Sequence, residues 1–136
     1  MCNSPEISEH ALIQLVKARL LADLTNPPSL EDLADETSLS PFQLSRLFGR
    51  ITGKTIPGML REKRMEVSAE LLKQSDARIG EVAVKVGYSS LSAFNRAFTR
   101  EIGIAPLKYR KNVRRDAGEV ENVFTVQPRS STGGKL

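Results

Sequence analysis

Two stretches of this 136-residue chain repeat one another, SLSPFQLSRLFGRITG at 38–53 and GYSSLSAFNRAFTREIG at 87–103. Upstream of them, Leu33-Ala34 matches Val82-Ala83, so the similarity extends over a short segment, a turn and a longer segment in each copy. The second copy has one more residue, which falls in the turn. A solenoid needs three or more copies, so a two-copy repeat predicts a pair of similar units instead.

Each copy has the layout of a helix-turn-helix, in which a short helix and a longer helix are joined by a tight turn. Ala34 and Ala83 are small where the two helices cross closely. Ser38 and Gly87 follow at the turn, where a small residue tolerates unusual backbone angles. Apolar spacing predicts one buried side on the longer helix of each copy, formed by Leu44, Leu47, Phe48 and Ile51 and by Phe94, Ala97 and Phe98.

Start and stop signals predict an all-α fold of about seven helices. Ser40, Pro41 and Gln43 form a capping-box start, and Asn26-Pro27-Pro28 ends an earlier helix. The predicted helices run from Ser8 to Leu24, Leu30 to Thr37, Pro41 to Thr52, Pro57 to Gln74 or Ser75, Ile79 to Val86, Ser89 or Ser90 to Ile102, and Pro106 toward Val113. This organisation predicts one domain over 7–113, with helix-turn-helix units at 30–53 and 79–103 joined by a linker helix at 57–75. A flexible tail is expected over 114–136.

Composition disfavours catalysis. Cys2 and His10 are the single cysteine and histidine, which are too few for a disulfide or a Cys/His zinc site, and we do not expect them to form a catalytic Cys–His dyad. We therefore expect neither a cofactor nor a metal, and no catalytic residues. A signal peptide and a membrane span are not recognisable, so a cytoplasmic protein that does not contact the membrane is expected.

Basic charge is concentrated in the middle of the chain. Residues 40–115 carry 16 basic and 6 acidic side chains, whereas residues 1–39 carry 2 and 7. Such a distribution is typical of a surface that faces a polyanion, although a solvated basic surface has the same composition.

The outward faces of the two longer helices carry the side chains that read base edges in a major groove. These candidate base-reading residues are Phe42, Ser45, Arg46, Ser92, Asn95 and Arg96. Candidate phosphate contacts lie at the helix ends and just beyond them, namely Ser40, Gln43, Arg50, Lys54, Ser90, Arg100 and Lys108. One such pattern is weak evidence, but two copies with equivalent arginines strengthen it. Phe42 could instead belong to a local core under the first helix. For Leu91, a position in the core and a position facing the groove are both open.

Residues from about 30 to 110 resemble the DNA-binding domain of the AraC/XylS family of bacterial transcription activators. The signature comprises Leu33-Ala34, Leu39-Ser40, Leu44-Ser45-Arg46-Leu47-Phe48, Gly53, Arg64-Met65, Leu71-Leu72, Ile79, Val82-Ala83, Val86-Gly87-Tyr88, Phe94-Asn95-Arg96-Ala97-Phe98, Gly103, Pro106 and Tyr109-Arg110. The resemblance implies seven helices, with one recognition helix from each unit in the major groove. It also implies a structural role for Arg64, pairing with a carboxylate. Ser68 departs from the family pattern, where alanine is usual.

The function expected from these features is a sequence-specific regulator, an activator that binds double-stranded promoter DNA as a monomer and recruits RNA polymerase. The chain would then be a small stand-alone member of the family or the C-terminal piece of a longer regulator. One alternative is a helical protein-interaction module or anti-activator that has lost DNA binding. A DNA-repair enzyme carrying this domain would need a cysteine-rich metal-binding half, which the sequence lacks.

Overall fold

A computed structural model describes residues 8–121, which form helices and no strands. The helices are α1 (Glu9–Leu21), α2 (Leu30–Thr37), α3 (Pro41–Thr52), α4 (Ile56–Gln74), α5 (Ile79–Lys85), α6 (Leu91–Ile102) and α7 (Pro106–Glu121). The prediction of an all-α fold with seven helices is confirmed for this part of the chain. Within it, no helix combines the length and the apolar character needed to cross a membrane.

Capping side chains fix where the helices begin. The Ser40 hydroxyl accepts from the Gln43 amide at 3.0 Å, and the Ser40 amide donates to the Gln43 side-chain oxygen at 2.9 Å. Ser29 and Asp32 form the same reciprocal pair at the start of α2. Each cap satisfies amides that would otherwise lack a partner in the first helical turn, which is why these starts are visible in the sequence.

The turn inside each helix-turn-helix unit has the same hydrogen bonding in both copies. The Leu39 amide donates to the Ala34 carbonyl at 3.1 Å, and the Tyr88 amide donates to the Ala83 carbonyl at 2.9 Å. The residue before each donor has a positive φ, 62° at Ser38 and 102° at Gly87. The repeat seen in the sequence is therefore a repeat of backbone geometry, as predicted from the small residues at these positions.

The two units have separate hydrophobic cores. The first core joins α1, α2 and α3 and consists of Ile13, Val16, Leu20, Leu33, Ala34, Leu44, Leu47 and Phe48. The second joins α4, α5 and α6 and consists of Met65, Leu72, Val82, Ala83, Val86, Phe94 and Phe98. The first turns of α4 cover the first core with Ile56, Met59 and Leu60, so this one helix packs on both units.

Helix α1 is shorter than the sequence predicts, ending at Leu21 rather than Leu24. In the loop that follows, the Asp23 carboxylate accepts from the Thr25 hydroxyl at 2.7 Å and from the Thr25 amide at 3.0 Å. These two bonds hold the pKa of Asp23 below its ordinary value, since they favour the charged form. This local turn replaces the last helical turn that the apolar spacing predicted.

Helix α7 is longer than predicted, because it continues past Val113 to Glu121. Arg114 donates to the Ser75 carbonyl at 2.6 Å and pairs with Asp76 at 2.9 Å. Arg110 donates to the Leu72 carbonyl at 2.9 Å. The arginines of α7 thus occupy the carbonyl end of α4, a favourable place for cations. Of the predicted tail, 122–136 lie outside the described residues.

Replacing Ser68 by alanine should leave stability unchanged or raise it by up to about 1 kcal/mol. Ser68 is fully buried, and its hydroxyl donates only to the Arg64 carbonyl one turn back, at 2.6 Å. Because that carbonyl also has its helical partner, removing the hydroxyl leaves no polar group stranded. Urea denaturation of Ser68→Ala beside the wild type measures the difference. A loss of more than 1 kcal/mol would show that the hydroxyl is a structural requirement.

Candidate nucleic-acid interface

The outer face of α3 exposes the three predicted base-reading side chains of the first unit, Phe42, Ser45 and Arg46. Phe42 is 69% exposed, so the alternative that it belongs to the local core is wrong. The Arg46 guanidinium carbon lies 5.6 Å from the centroid of the Phe42 ring. This cation–π contact orients the arginine across one turn of the helix, where both side chains point to solvent.

The outer face of α6 exposes the corresponding residues of the second unit, Ser92, Asn95 and Arg96. Phe94 and Phe98 on the other side of the helix are fully buried, which fixes the rotation of the helix about its axis. Leu91, at the start of α6, is 47% exposed and lies outside the buried core. Both units therefore present the polar side of their longer helix outward.

The helix starts place the predicted phosphate contacts Ser40, Gln43 and Ser90 at exposed positions. The Ser40 and Ser90 hydroxyls each accept a backbone amide at 3.0 Å, from Gln43 and Ala93. A hydroxyl that accepts one hydrogen bond can still donate its own hydrogen, and the side-chain amide of Gln43 keeps its donor group. These caps are therefore compatible with phosphate contacts at a helix N-terminus.

The predicted phosphate-contacting cations differ between the two units. In the first, Arg50 pairs with Glu9 at 3.3 Å and Lys54 pairs with Glu62 at 2.7 Å. By contrast, Arg100 and Lys108 are exposed and form no ion pair with any described carboxylate. Arg100 and Lys108 are thus available without breaking an ion pair to a described residue, whereas Arg50 and Lys54 must exchange one.

A groove of about 330 Å³ runs beside α3, between this helix and the start of α1. Its lining residues are Glu9, Leu39, Phe42, Gln43, Arg46, Leu47 and Arg50. Glu9 could not be identified as part of this surface from the sequence, because its partner Arg50 lies in another helix 41 residues away. One acidic side chain therefore lies at the edge of a groove whose other side chains are apolar, aromatic, polar or basic.

Replacing Glu9 by glutamine should raise affinity for double-stranded DNA about two- to fivefold, since an exposed ion pair is worth up to roughly 1 kcal/mol. The substitution releases Arg50 and removes a negative charge from the edge of the groove. Glu31→Gln is the matched control, because Glu31 is exposed on α2 and has no ion pair among the described residues. Fluorescence anisotropy with a labelled duplex measures both. An equal rise in the two variants would contradict a specific release of Arg50.

Arg64 pairs with no carboxylate among residues 8–121, and the expectation of such a pair is wrong. Its guanidinium donates to the Leu24 carbonyl at 2.7 Å and 3.2 Å, and it lies 5.3 Å from the centroid of the Tyr88 ring. This partner could not be predicted from the residues around Arg64, because it is a backbone carbonyl 40 residues away. Its role is structural, as the resemblance implied, but with a different partner.

Nothing among residues 8–121 gathers three or more His, Cys, Asp or Glu side chains in a way that could hold a metal ion. The exposed acidic residues of α2 are spread along one helix, and Asp32 is part of the cap of that helix.

Two similar units, each with a polar and basic face on its second helix, define the class of helix-turn-helix domains. Residues 33–112 match a family model described as a helix-turn-helix domain. The chain belongs to the AraC-type family of helix-turn-helix transcriptional regulators. Family membership and the observed helices agree with the resemblance found in the sequence. The curated relatives described next are named as transcriptional regulators rather than enzymes.

Three known proteins illustrate the similarity. The regulator AlkR of Acinetobacter baylyi is 38% identical over 85 residues, which are 62% of this chain and 28% of AlkR. The transcriptional activator RhaR of Escherichia coli is 33% identical over 106 residues, 78% of this chain and 38% of RhaR. The DNA-binding domain of AdpA, solved in complex with a target DNA, superimposes with a TM-score of 0.72 at 29% identity, covering 79% of this chain and 96% of that domain. The chain thus spans 28% to 38% of the length of these two curated relatives.

Proposed function

We propose that this protein is a sequence-specific DNA-binding regulator that inserts α3 and α6 into successive major grooves of promoter DNA. The observation that carries the proposal is the pair of equivalent exposed faces on these two helices, backed by two separate cores. In the first unit, Phe42 contacts a thymine methyl, while Ser45 and Arg46 read base edges. In the second, Ser92, Asn95 and Arg96 do the same.

Phosphate contacts position the two helices. Arg50 and Lys54 exchange their carboxylate partners for phosphates of the first half-site, and Arg100 and Lys108 bind phosphates of the second half-site directly. Ser40, Gln43 and Ser90 add neutral donors at the helix starts, where the helix dipole favours an anion. These contacts set the register on the duplex and carry no sequence information themselves.

One chain is sufficient for both half-sites, so we propose that the protein binds as a monomer. Helix α4 has 19 residues, which corresponds to about 28 Å at ~1.5 Å per residue. Successive major grooves are about 34 Å apart, so side-chain reach or a modest bend of the DNA makes up the difference. The second contact follows the first at high effective concentration, because both units share one polypeptide.

The protein acts as an activator in the bacterial cytoplasm and contacts RNA polymerase. The name of RhaR as an activator supports this part of the proposal, as does the exposed acidic surface of α2, formed by Glu31, Asp35 and Glu36. That surface lies on the helix that precedes the recognition helix and is open to a protein partner.

Arg46→Ala and Arg96→Ala test the proposal directly. Each should cost about 1–3 kcal/mol of binding free energy and relax the base preference in one half-site only, a different one for each variant. The measurement is affinity for a site selected from random duplexes, with every position of both half-sites varied. Arg19→Ala is the control, since Arg19 is an exposed arginine on α1 that pairs with Glu36 and lies on neither reading face.

Circular dichroism must show wild-type helix content in each variant. Unchanged affinity and base preference in both folded variants would contradict the assigned reading faces. A folded wild type with no affinity for any duplex would favour the protein-interaction module instead.

A further inference from the structure

The two units meet at Arg64, in the middle of α4. Its side chain is half-buried and donates two hydrogen bonds to the Leu24 carbonyl, which lies in the loop between α1 and α2 of the first unit. The same guanidinium lies against the ring of Tyr88, which follows the turn of the second unit. Arg64 therefore touches both units at once from the helix that connects them.

The backbones of the two units also come close at this point. A Cβ atom on Gly87 would collide with the Leu24 carbonyl oxygen and would lie 2.7 Å from the Arg64 guanidinium. Only glycine fits so close to another backbone, and φ at Gly87 is also positive. The loop of the first unit, the turn of the second unit and the Arg64 side chain thus form one junction, here called the Arg64 junction.

The Arg64 junction bears on the orientation of α6 relative to α3, which α4 alone does not fix. Because each unit has its own core, a small bend or twist of α4 between Leu60 and Met65 would rotate α6 relative to α3 while leaving both cores packed. An ion pair between Arg61 and Glu101 joins α4 to the second unit only. The Arg64 junction instead connects the first unit to the second, next to the turn that precedes α6.

We propose that Arg64 is a positioning residue that sets the half-site spacing the protein accepts. By holding Leu24 against Gly87 and Tyr88, it fixes the orientation of α6 relative to α3. The inference rests on the proposed function, since it matters only if both helices read DNA. Arg64 itself contacts no DNA, and its effect passes through the two units.

Arg64→Met is the test, because methionine keeps an unbranched apolar side chain and removes the hydrogen-bonding cation. Lys63→Met is the matched control, since it removes the same charge from the neighbouring residue, whose ion-pair partner Glu66 lies in the same helix. Affinities are measured for the selected site, for the site with one or two base pairs inserted between the half-sites, and for sites with either half scrambled.

We expect the wild type and Lys63→Met to lose affinity steeply when base pairs are inserted. Arg64→Met should bind the native spacing about tenfold more weakly, because the orientation of α6 relative to α3 is then no longer fixed before binding and must be fixed on the DNA. It should also show a nearly flat dependence on spacing and wild-type affinity for half-scrambled sites. A residue needed only for folding would not flatten the spacing preference while leaving half-site binding intact.

Arg64→Lys is a second variant, to be measured on the same set of sites in case Arg64→Met folds poorly. Lysine retains the charge but has a single donor nitrogen in place of the planar guanidinium, so its spacing preference should lie between those of the wild type and a flat profile. A wild-type spacing profile in either folded variant would overturn the role of Arg64, and so would an equal loss on full and half-scrambled sites. If the wild type itself selects no two-part site, the proposed function is wrong. That outcome differs from a wild type with a two-part site and an Arg64 variant with unchanged spacing preference, which would contradict the role of Arg64 alone.

Discussion

Glu66→Pro should abolish the cooperation between the two half-sites while each unit still binds its own half weakly. Residue 66 lies in the middle of α4, between the residues that cover the first core and Leu72 in the second. A proline there removes a helical hydrogen bond and collides with the preceding turn, which costs about 3 kcal/mol or more. The kink changes the separation and orientation of α3 and α6, so that both cannot enter successive grooves together.

The matched control is Glu66→Ala. Glu66 is exposed, and Lys63 in the same helix is its one ion-pair partner among the described residues, so alanine keeps α4 straight and removes a contact worth little. Affinities of both variants for full and half-scrambled sites, together with helix content, provide the comparison. Undiminished full-site affinity in a variant whose helix is shown to be kinked would contradict the role of α4 as a spacer.

Raising the salt concentration from 50 mM to 200 mM should weaken binding about a hundredfold. Four cations are assigned to phosphates, Arg50, Lys54, Arg100 and Lys108, and each neutralised phosphate contributes about 0.9 to the slope of log affinity against log salt. The expected slope is therefore about −4 at neutral pH. Titrations at several salt concentrations measure it, on the selected site and on random duplex.

Arg100→Ala should reduce that slope by about one unit and should weaken binding equally on both kinds of DNA, because a phosphate contact is blind to sequence. Lys85→Ala is a suitable comparison, since Lys85 is an exposed cation at the end of α5 that is not assigned to DNA. A slope near zero for the wild type, or a loss confined to the selected site in Arg100→Ala, would contradict the phosphate assignments.

The parts of the fold that depend on local chemistry were predictable from the sequence. The cap at Ser40 and the turn at Gly87 follow from interactions within a few residues, which the residue types themselves specify. The two-copy pattern made these signals stronger, because the same elements recur in the same order. The outward faces of α3 and α6 followed from the opposite, apolar faces, whose buried phenylalanines fix the rotation of each helix.

Contacts between distant segments were not predictable. Helix α7 continues past Val113 with arginines bound to carbonyls at the end of α4, and no residue near position 113 specifies that partner. Arg64 binds a backbone carbonyl, an acceptor that every residue carries and that no sequence pattern distinguishes. The ion pair of Glu9 with Arg50 joins helices from different parts of the chain. Such contacts depend on how the helices pack.

Selection of bound sequences from random double-stranded DNA tests the central claim most directly. The expected result is an asymmetric site with two conserved blocks about one helical turn, ~10 bp, apart, the first altered by substitution of Arg46 and the second by substitution of Arg96. A single conserved block would show that only one unit reads DNA. A symmetric inverted repeat would show that two chains bind, and either result would contradict a monomer that reads two successive grooves.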